Sequence, residues 1–175
     1  RTRNPGPNGA GWNNSAVTVS FGCNDNLSGV ASNTLAGATL SSEGANQSVT
    51  NTGSCVDNAG NVASPATVSP VHIDLTKPTP SAAATTAPNA NGWYNHNVTI
   101  RYTCADALSG VAACPSDQGL SSEGTAVASL ALFSRDAADN VSDPSNVVTV
   151  NIDKTAPSVL VTGVTNGAVY DFGSV

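Results

Sequence analysis

Gly11-Trp12-Asn13-Asn14, Val17-Thr18-Val19, Cys23-Asn24-Asp25 and Leu27-Ser28-Gly29-Val30-Ala31 form a run of short blocks that returns later in the chain. About 81 residues on (Trp12 to Trp93) it reads Gly92-Trp93-Tyr94-Asn95, Val98-Thr99-Ile100, Cys104-Ala105-Asp106 and Leu108-Ser109-Gly110-Val111-Ala112. Self-similarity at a fixed period means one supersecondary unit used more than once. The register then slips by a residue at Leu40-Ser41-Ser42-Glu43-Gly44 against Leu120-Ser121-Ser122-Glu123-Gly124. It slips again at Asp57-Asn58-Ala59-Gly60-Asn61-Val62 against Asp136-Ala137-Ala138-Asp139-Asn140-Val141. Such slips mark loops. Each unit closes on a linker, Ile73-Asp74-Leu75-Thr76-Lys77-Pro78 and Ile152-Asp153-Lys154-Thr155-Ala156-Pro157.

These blocks divide the chain into a linker from a preceding repeat (residues 1–10), a first repeat (11–75), a second repeat (76–154) and the start of a third (155–175). The chain contains no Met, which reads as a processed or excised piece of something longer. Any signal peptide, sorting sequence or lipid anchor is then expected outside it.

Inside a unit, residues 16–21 and 97–102 alternate β-branched or aromatic with polar side chains, the period of a strand with one buried face. Asp57-Asn58-Ala59-Gly60-Asn61 is a tight turn by composition, between residues 47–55 and 66–74, both extended in pattern. Six or seven short strands fit each unit. Ala, Ser, Thr, Asn, Gly and Val dominate a chain that is only 10% charged, which favours strands and turns over amphipathic helices. The expected class is all-β, as tandem small sandwiches.

A net charge of −6 gives a phosphate backbone no basic stripe to bind, so nucleic acid is not an expected partner. No apolar run approaches a membrane span. Units of this size bury only about 60–65% of their unfolded surface and need extra staples. The four Cys supply them at two per unit, which favours Cys23–Cys55 and Cys104–Cys114 over cross-links between units. Chain entropy gives about 3.7 and about 2.7 kcal/mol for the two loops. A metal site would want the close C-x-x-C spacing that Cys104 and Cys114 lack, and the two His residues, His72 and His96, fall in different units rather than together. Disulfides imply an oxidising, extracellular setting.

The ordered pattern Gly-Trp-x-Asn, Val-Thr-Val, Asp-x-x-Ser-Gly-Val-Ala, Glu-Gly, Asp-x-Ala-Gly-Asn, Ile-Asp-x-Thr-x-Pro resembles the bacterial Ig-like repeats of large surface proteins, adhesins and secreted glycosidases. The resemblance covers nearly the whole chain and departs from the pattern at Asp139, where Gly is expected. It implies immunoglobulin-like β-sandwich domains on a secreted or cell-surface protein, in which such repeats serve as spacers or adhesive modules. A shared fold does not by itself transfer an activity.

Catalysis has no foothold in the residues. His96 stands where the first unit has Ser15, and His72 where the second has Asn151, so neither belongs to a repeated constellation of nucleophile, base and acid. A glycosidase-like pair drawn from Glu43 and Asp57 would recur as Glu123 and Asp136 and make every unit an enzyme. No enzyme and no cofactor are expected.

Calcium is the sharper alternative. Asp25, Glu43, Asp57, Asp106, Glu123, Asp136 and Asp139 offer loop oxygens to a hard cation, and Asp74 and Asp153 offer one at each linker. The same side chains close Asx turns without any metal, which is the reading favoured here. Trp12 and Trp93, at matched positions, either close one end of a core or stack on a sugar ring. Asn-x-Ser/Thr sequons at Asn13, Asn26, Asn46, Asn97 and Asn140 are about as many as the composition gives by chance and only permit glycosylation.

The expected function is a structural extracellular stalk whose partners are neighbouring repeats, with an adhesive or carbohydrate-binding module as the alternative. Residues 158–175 carry Val159-Leu160-Val161, a strand without a domain. That strand is expected to pair with a sheet edge, and pairing with another copy would build filaments.

Overall fold

The computed structural model describes residues 1–163, 165–169 and 173. The first unit runs β1 (Thr2–Asn4), β2 (Trp12–Asn13), β3 (Val17–Ser20), β4 (Val30–Asn33), β5 (Ala38–Leu40), β6 (Gly44–Thr50), β7 (Cys55–Asp57) and β8 (Thr67–Ile73). The second repeats it as β9 (Thr79–Ala84), β10 (Trp93–Tyr94), β11 (Val98–Ala105), β12 (Val111–Ala113), β13 (Gln118–Leu120), β14 (Gly124–Ala128), β15 (Arg135–Asp136) and β16 (Thr149–Ile152). No helix occurs among the described residues. The fold is all-β.

Strand order is β1-β3-β5, β2-β8-β6 and β4-β7 in the first unit, and β9-β11-β13, β10-β16-β14 and β12-β15 in the second. Among the described strands none pairs across the linker between Ile73 and Thr79. The short strands β2 and β10 lie parallel to β8 and β16, while the other ladders are antiparallel. In each unit the β3-type and β8-type sheets press their alternating apolar faces together as a sandwich. Val17 and Val19 meet Val49, Val71 and Ile73 in the first core. Val98, Ile100 and Tyr102 meet Leu120, Val150 and Ile152 in the second. The expected alternation in residues 16–21 and 97–102 is visible as buried and exposed positions taking turns along β3 and β11.

Three expectations change. Residues 1–10 were expected to be linker, yet Thr2–Asn4 pairs with β3 in the register Thr2↔Ser20 and Asn4↔Thr18. Arg1 and Arg3 donate through Nη1 to the Thr67 and Pro70 carbonyls of β8, tying this strand to the other sheet. Backbone pairing needs no apolar side chain, which is why Thr-Arg-Asn gave no strand signal.

Residues 47–55 were expected to be extended in pattern. They split, because Gly53 turns at φ 76° where a Cβ would collide with the Thr34 carbonyl; β6 stays with β8 and β7 crosses to β4.

The segment 158–163 joins no sheet edge of its own chain, and Val159, Leu160 and Val161 are 94%, 82% and 72% exposed. The remainder of that expectation falls partly on residues 164, 170–172, 174 and 175, which lie outside the described residues.

The two disulfides join Cys23 to Cys55 and Cys104 to Cys114, with Cα–Cα distances of 5.6 and 5.8 Å. The first bridges the end of the β3 segment to β7. The second closes the loop after β11.

Candidate functional site at the junction between the units

Asp-x-x-Ser-Gly is a chain reversal written in sequence: a carboxylate accepts the backbone N–H groups that follow it, and Gly takes the left-handed position. Asp106 Oδ1 accepts from Leu108 N at 3.2 Å and Gly110 N at 2.6 Å, with Gly110 at φ 83°. The 136–140 turn is built alike, Asp136 Oδ1 taking Ala138 N at 2.9 Å and Asn140 N at 2.8 Å. Both turns sit at the end of the second unit that meets the linker.

The linker is held from both sides. From the first unit, Asn13 O accepts the Asp74 N–H at 2.9 Å, and Glu43 Oε1 accepts Leu75 N and Thr76 Oγ1, each at 2.7 Å. Asp74 Oδ1 caps Thr76 N at 3.1 Å. From the second unit, Ser109 N donates to Asp74 Oδ2 at 2.9 Å, and Asn140 Nδ2 donates to Asp74 O at 2.9 Å and to Thr76 O at 3.2 Å. Asp74 and Pro78 are fully buried by this arrangement. A second bridge lies beside it, where Asn8 Nδ2 reaches Ala137 O and Asp139 Oδ2, both at 2.8 Å. Lys77 pairs with Asp143 at 2.8 Å, but both ends are well exposed and the pair adds little.

Asp139 explains its own departure from the repeat. Gly60, its counterpart, sits at φ 90°, and Asp139 sits at φ 72°, a conformation that strains a residue bearing Cβ. Its carboxylate reaches Asn8 of the first unit and Arg135 Nη1 at 3.4 Å. Strain is retained where a side chain spans the junction.

One carboxylate oxygen each from Asp74, Asp106 and Asp136 lies within 4.8 Å of the other two. Asp74 and Asp136 are fully buried, and among the described residues none of the three is ion-paired. Asp74 takes a backbone donor on each oxygen and Asp136 takes backbone and Asn140 donors on its two, while among the described residues Asp106 accepts through Oδ1 alone. We read all three as turn and joint residues.

Asp25 and Asp57 make the same turns in the first unit, Asp25 accepting Leu27 N and Gly29 N, and Asp57 accepting Asn61 N and Asn61 Nδ2. The Asn61 side-chain amide is the main reason the Asp57 carboxyl is held below the usual carboxylate range. Asp153 caps Thr155 N at 3.0 Å and Glu123 takes Lys154 N at 2.9 Å, as Asp74 and Glu43 do one unit earlier. Asp153 is exposed, however, whereas Asp74 is enclosed by the second unit's turns.

Trp12 and Trp93 are half-buried, and the residues that go fully inside are their neighbours Asn13 and Tyr94. Trp12 leans on His72 with ring centroids 5.1 Å apart. Beside Trp12 a shallow cleft of about 220 Å³ is lined by Asn8, Asn14 and, from the second unit, Asp139. His96 lies on the surface against Asn95 and Tyr94. Among the described residues no hydroxyl or thiol bonds either imidazole.

No family model matches this chain, and no curated protein matches it in sequence. A structure described as fibronectin(III)-like modules of Clostridium thermocellum CbhA aligns over 91% of this chain and 98% of its own, at 12% identity and a TM-score of 0.33. A superposition that loose carries no argument.

The sequence pointed to Asp74, Asp106 and Asp136 individually but not to their meeting. Asn8 went unmarked, and Asn140 was noted only as a repeat position and a sequon, not for the cross-junction bonds it makes.

Proposed function

We propose that this chain is a structural spacer: consecutive Ig-like units of a larger secreted or surface protein, joined by a stiff linker so that they set distance and present other parts. The observation that carries this reading is the linker bonded on both sides, to Glu43 and Asn13 behind it and to Ser109 and Asn140 ahead. A flexible tether leaves its backbone to water, whereas here the Asp74 and Thr76 carbonyls and the Asp74 carboxylate are taken by the next unit. The same linker chemistry recurs at Asp153, Glu123 and Thr155, as a repeating joint requires. One disulfide in each unit fits an extracellular location, since such bonds persist in oxidising compartments. A bacterial source follows from the sequence resemblance, and the reading as a non-enzyme follows from the lack of any repeated catalytic constellation.

A second reading rests on the cleft beside Trp12. A half-exposed indole next to Asn8, Asn14 and Asp139 offers a stacking face and polar groups to a sugar. A glycan array probed with the intact chain separates the two. The spacer reading expects no glycan retained. A glycan retained by the wild type and lost in Trp12→Ala or Trp93→Ala would replace spacing with carbohydrate binding.

A further inference from the structure

The two units treat one detail of the same sheet differently. The edge strand β6 is bulged between Gly44 and Gln47, and β14 between Gly124 and Val127. Within each bulge one non-glycine residue has a positive φ, 59° at Asn46 and 52° at Ala126. A bulge turns a backbone N–H out of the ladder, and that donor needs another acceptor. The neighbouring strand provides it in both units. Asn46 N donates to His72 Nδ1 at 3.1 Å, and Ala126 N donates to Asn151 Oδ1 at 2.9 Å. His72 and Asn151 are equivalent positions, each one residue before the last of its strand.

An amide oxygen accepts at any ordinary pH. A ring nitrogen accepts only while imidazole is neutral, because the second proton turns Nδ1 into a donor. Histidine changes charge between about pH 5 and about pH 8. We propose that His72 makes the bulge of the first unit acid-labile while the matching bulge of the second stays indifferent to pH. At neutral pH the proton sits on Nε2 and Nδ1 holds Asn46. A ring protonated on both nitrogens cannot accept the Asn46 N–H.

The surroundings do not oppose this. From β2 the imidazole meets Trp12, and from β6 it meets Asn46, neither of them charged. The charged residues nearest along these elements are otherwise engaged: Glu43 by Leu75 and Thr76, Asp74 by Thr76 and Ser109, and Arg3 by Pro70 O. Among the described residues no ion pair reaches the ring.

The consequence reaches the joint, since Glu43, adjacent to the bulge at Gly44, is the residue that holds Leu75 and Thr76. Acid slackens that hold on one side of the linker. The inference goes beyond spacing, because it gives the stalk a joint that loosens below neutral pH.

Amide hydrogen exchange of the intact chain, corrected for the intrinsic pH dependence of exchange, tests it. Between about pH 7.5 and about pH 5 the Asn46 amide is expected to lose about tenfold in protection, and Leu75 a smaller factor. Ala126 and Lys154 are the matched amides of the second unit and are expected to hold theirs. His72→Asn installs the residue that the second unit uses and is expected to make Asn46 independent of pH. Asn151→His is expected to move the acid loss to Ala126. Asn46 tracking Ala126 in the wild type, acid loss persisting in His72→Asn, or Ala126 staying protected in Asn151→His would each overturn the proposal.

Discussion

Replacing Asn140 by Ala removes a side-chain amide that donates to Asp74 O at 2.9 Å, Thr76 O at 3.2 Å and Asp136 Oδ2 at 2.8 Å. Two of those three bonds cross the junction. Asn61 is the matched control, because its amide donates at 2.7 Å to Asp57, the counterpart of Asp136, and to no linker. A hydrogen bond contributes about 0.5–1.5 kcal/mol net, and these sites are partly exposed, so the low end applies. Asn61→Ala should then cost about 0.5–1 kcal/mol and Asn140→Ala about 2 kcal/mol, the larger share from leaving the Asp74 carbonyl without its partner. For domains of this size the difference corresponds to a melting temperature roughly 5–10 °C lower for Asn140→Ala than for Asn61→Ala. Differential scanning calorimetry of the intact chain and the two variants measures it. Equal losses in the two variants would refute the argument, since the linker bonds would then add nothing to the turn they share.

Three further outcomes follow from the same geometry. An NMR titration should place the Asp57 midpoint below the ordinary carboxylate range, and Asn61→Ala should raise it; the effect of this carboxylate is present at neutral pH and is lost as pH falls through its depressed midpoint. A chelator should barely move the melting temperature, because backbone and Asn donors hold Asp74, Asp136 and one oxygen of Asp106 in their turns. A drop of more than about 10 °C would place a structural cation among them. Light scattering on chains with and without residues 158–175 tests assembly through the exposed Val159-Leu160-Val161 segment: a mass that falls on deletion supports strand exchange between copies, and one monomeric mass for both excludes it.

The fold was legible because each unit spells its strongest strand in alternation and writes its turns with Asp, Asn and Gly. Comparison of the copies exposed both. Val17-Thr18-Val19 and Val98-Thr99-Ile100 announce buried and exposed faces directly, and the Cys pairs fall one to a unit. Strand β1 was not legible, since Thr-Arg-Asn pairs through its backbone and carries no pattern. The division of residues 47–55 depends on Gly53 approaching the Thr34 backbone, a contact between segments far apart in the chain.

The junction was half legible. Asp74 looked like a turn residue and is one, capping Thr76, but its second oxygen meets Ser109 of the other unit, which no local pattern encodes. Asp139 was visible as a departure from Gly. Its reason, the bond to Asn8, required the two units in place.

The central claim is that the joint is stiff, and a distance distribution between the units tests it most directly. Spin labels attached by non-cysteine chemistry at the exposed positions Ser41 and Ser116 report from opposite sides of the linker without disturbing the disulfides. Double electron–electron resonance on the intact chain is predicted to give one narrow distance peak that broadens in Asn140→Ala. A broad or several-peaked distribution in the unaltered chain would contradict the account, because units that swing freely cannot share the Asp74, Ser109 and Asn140 bonds.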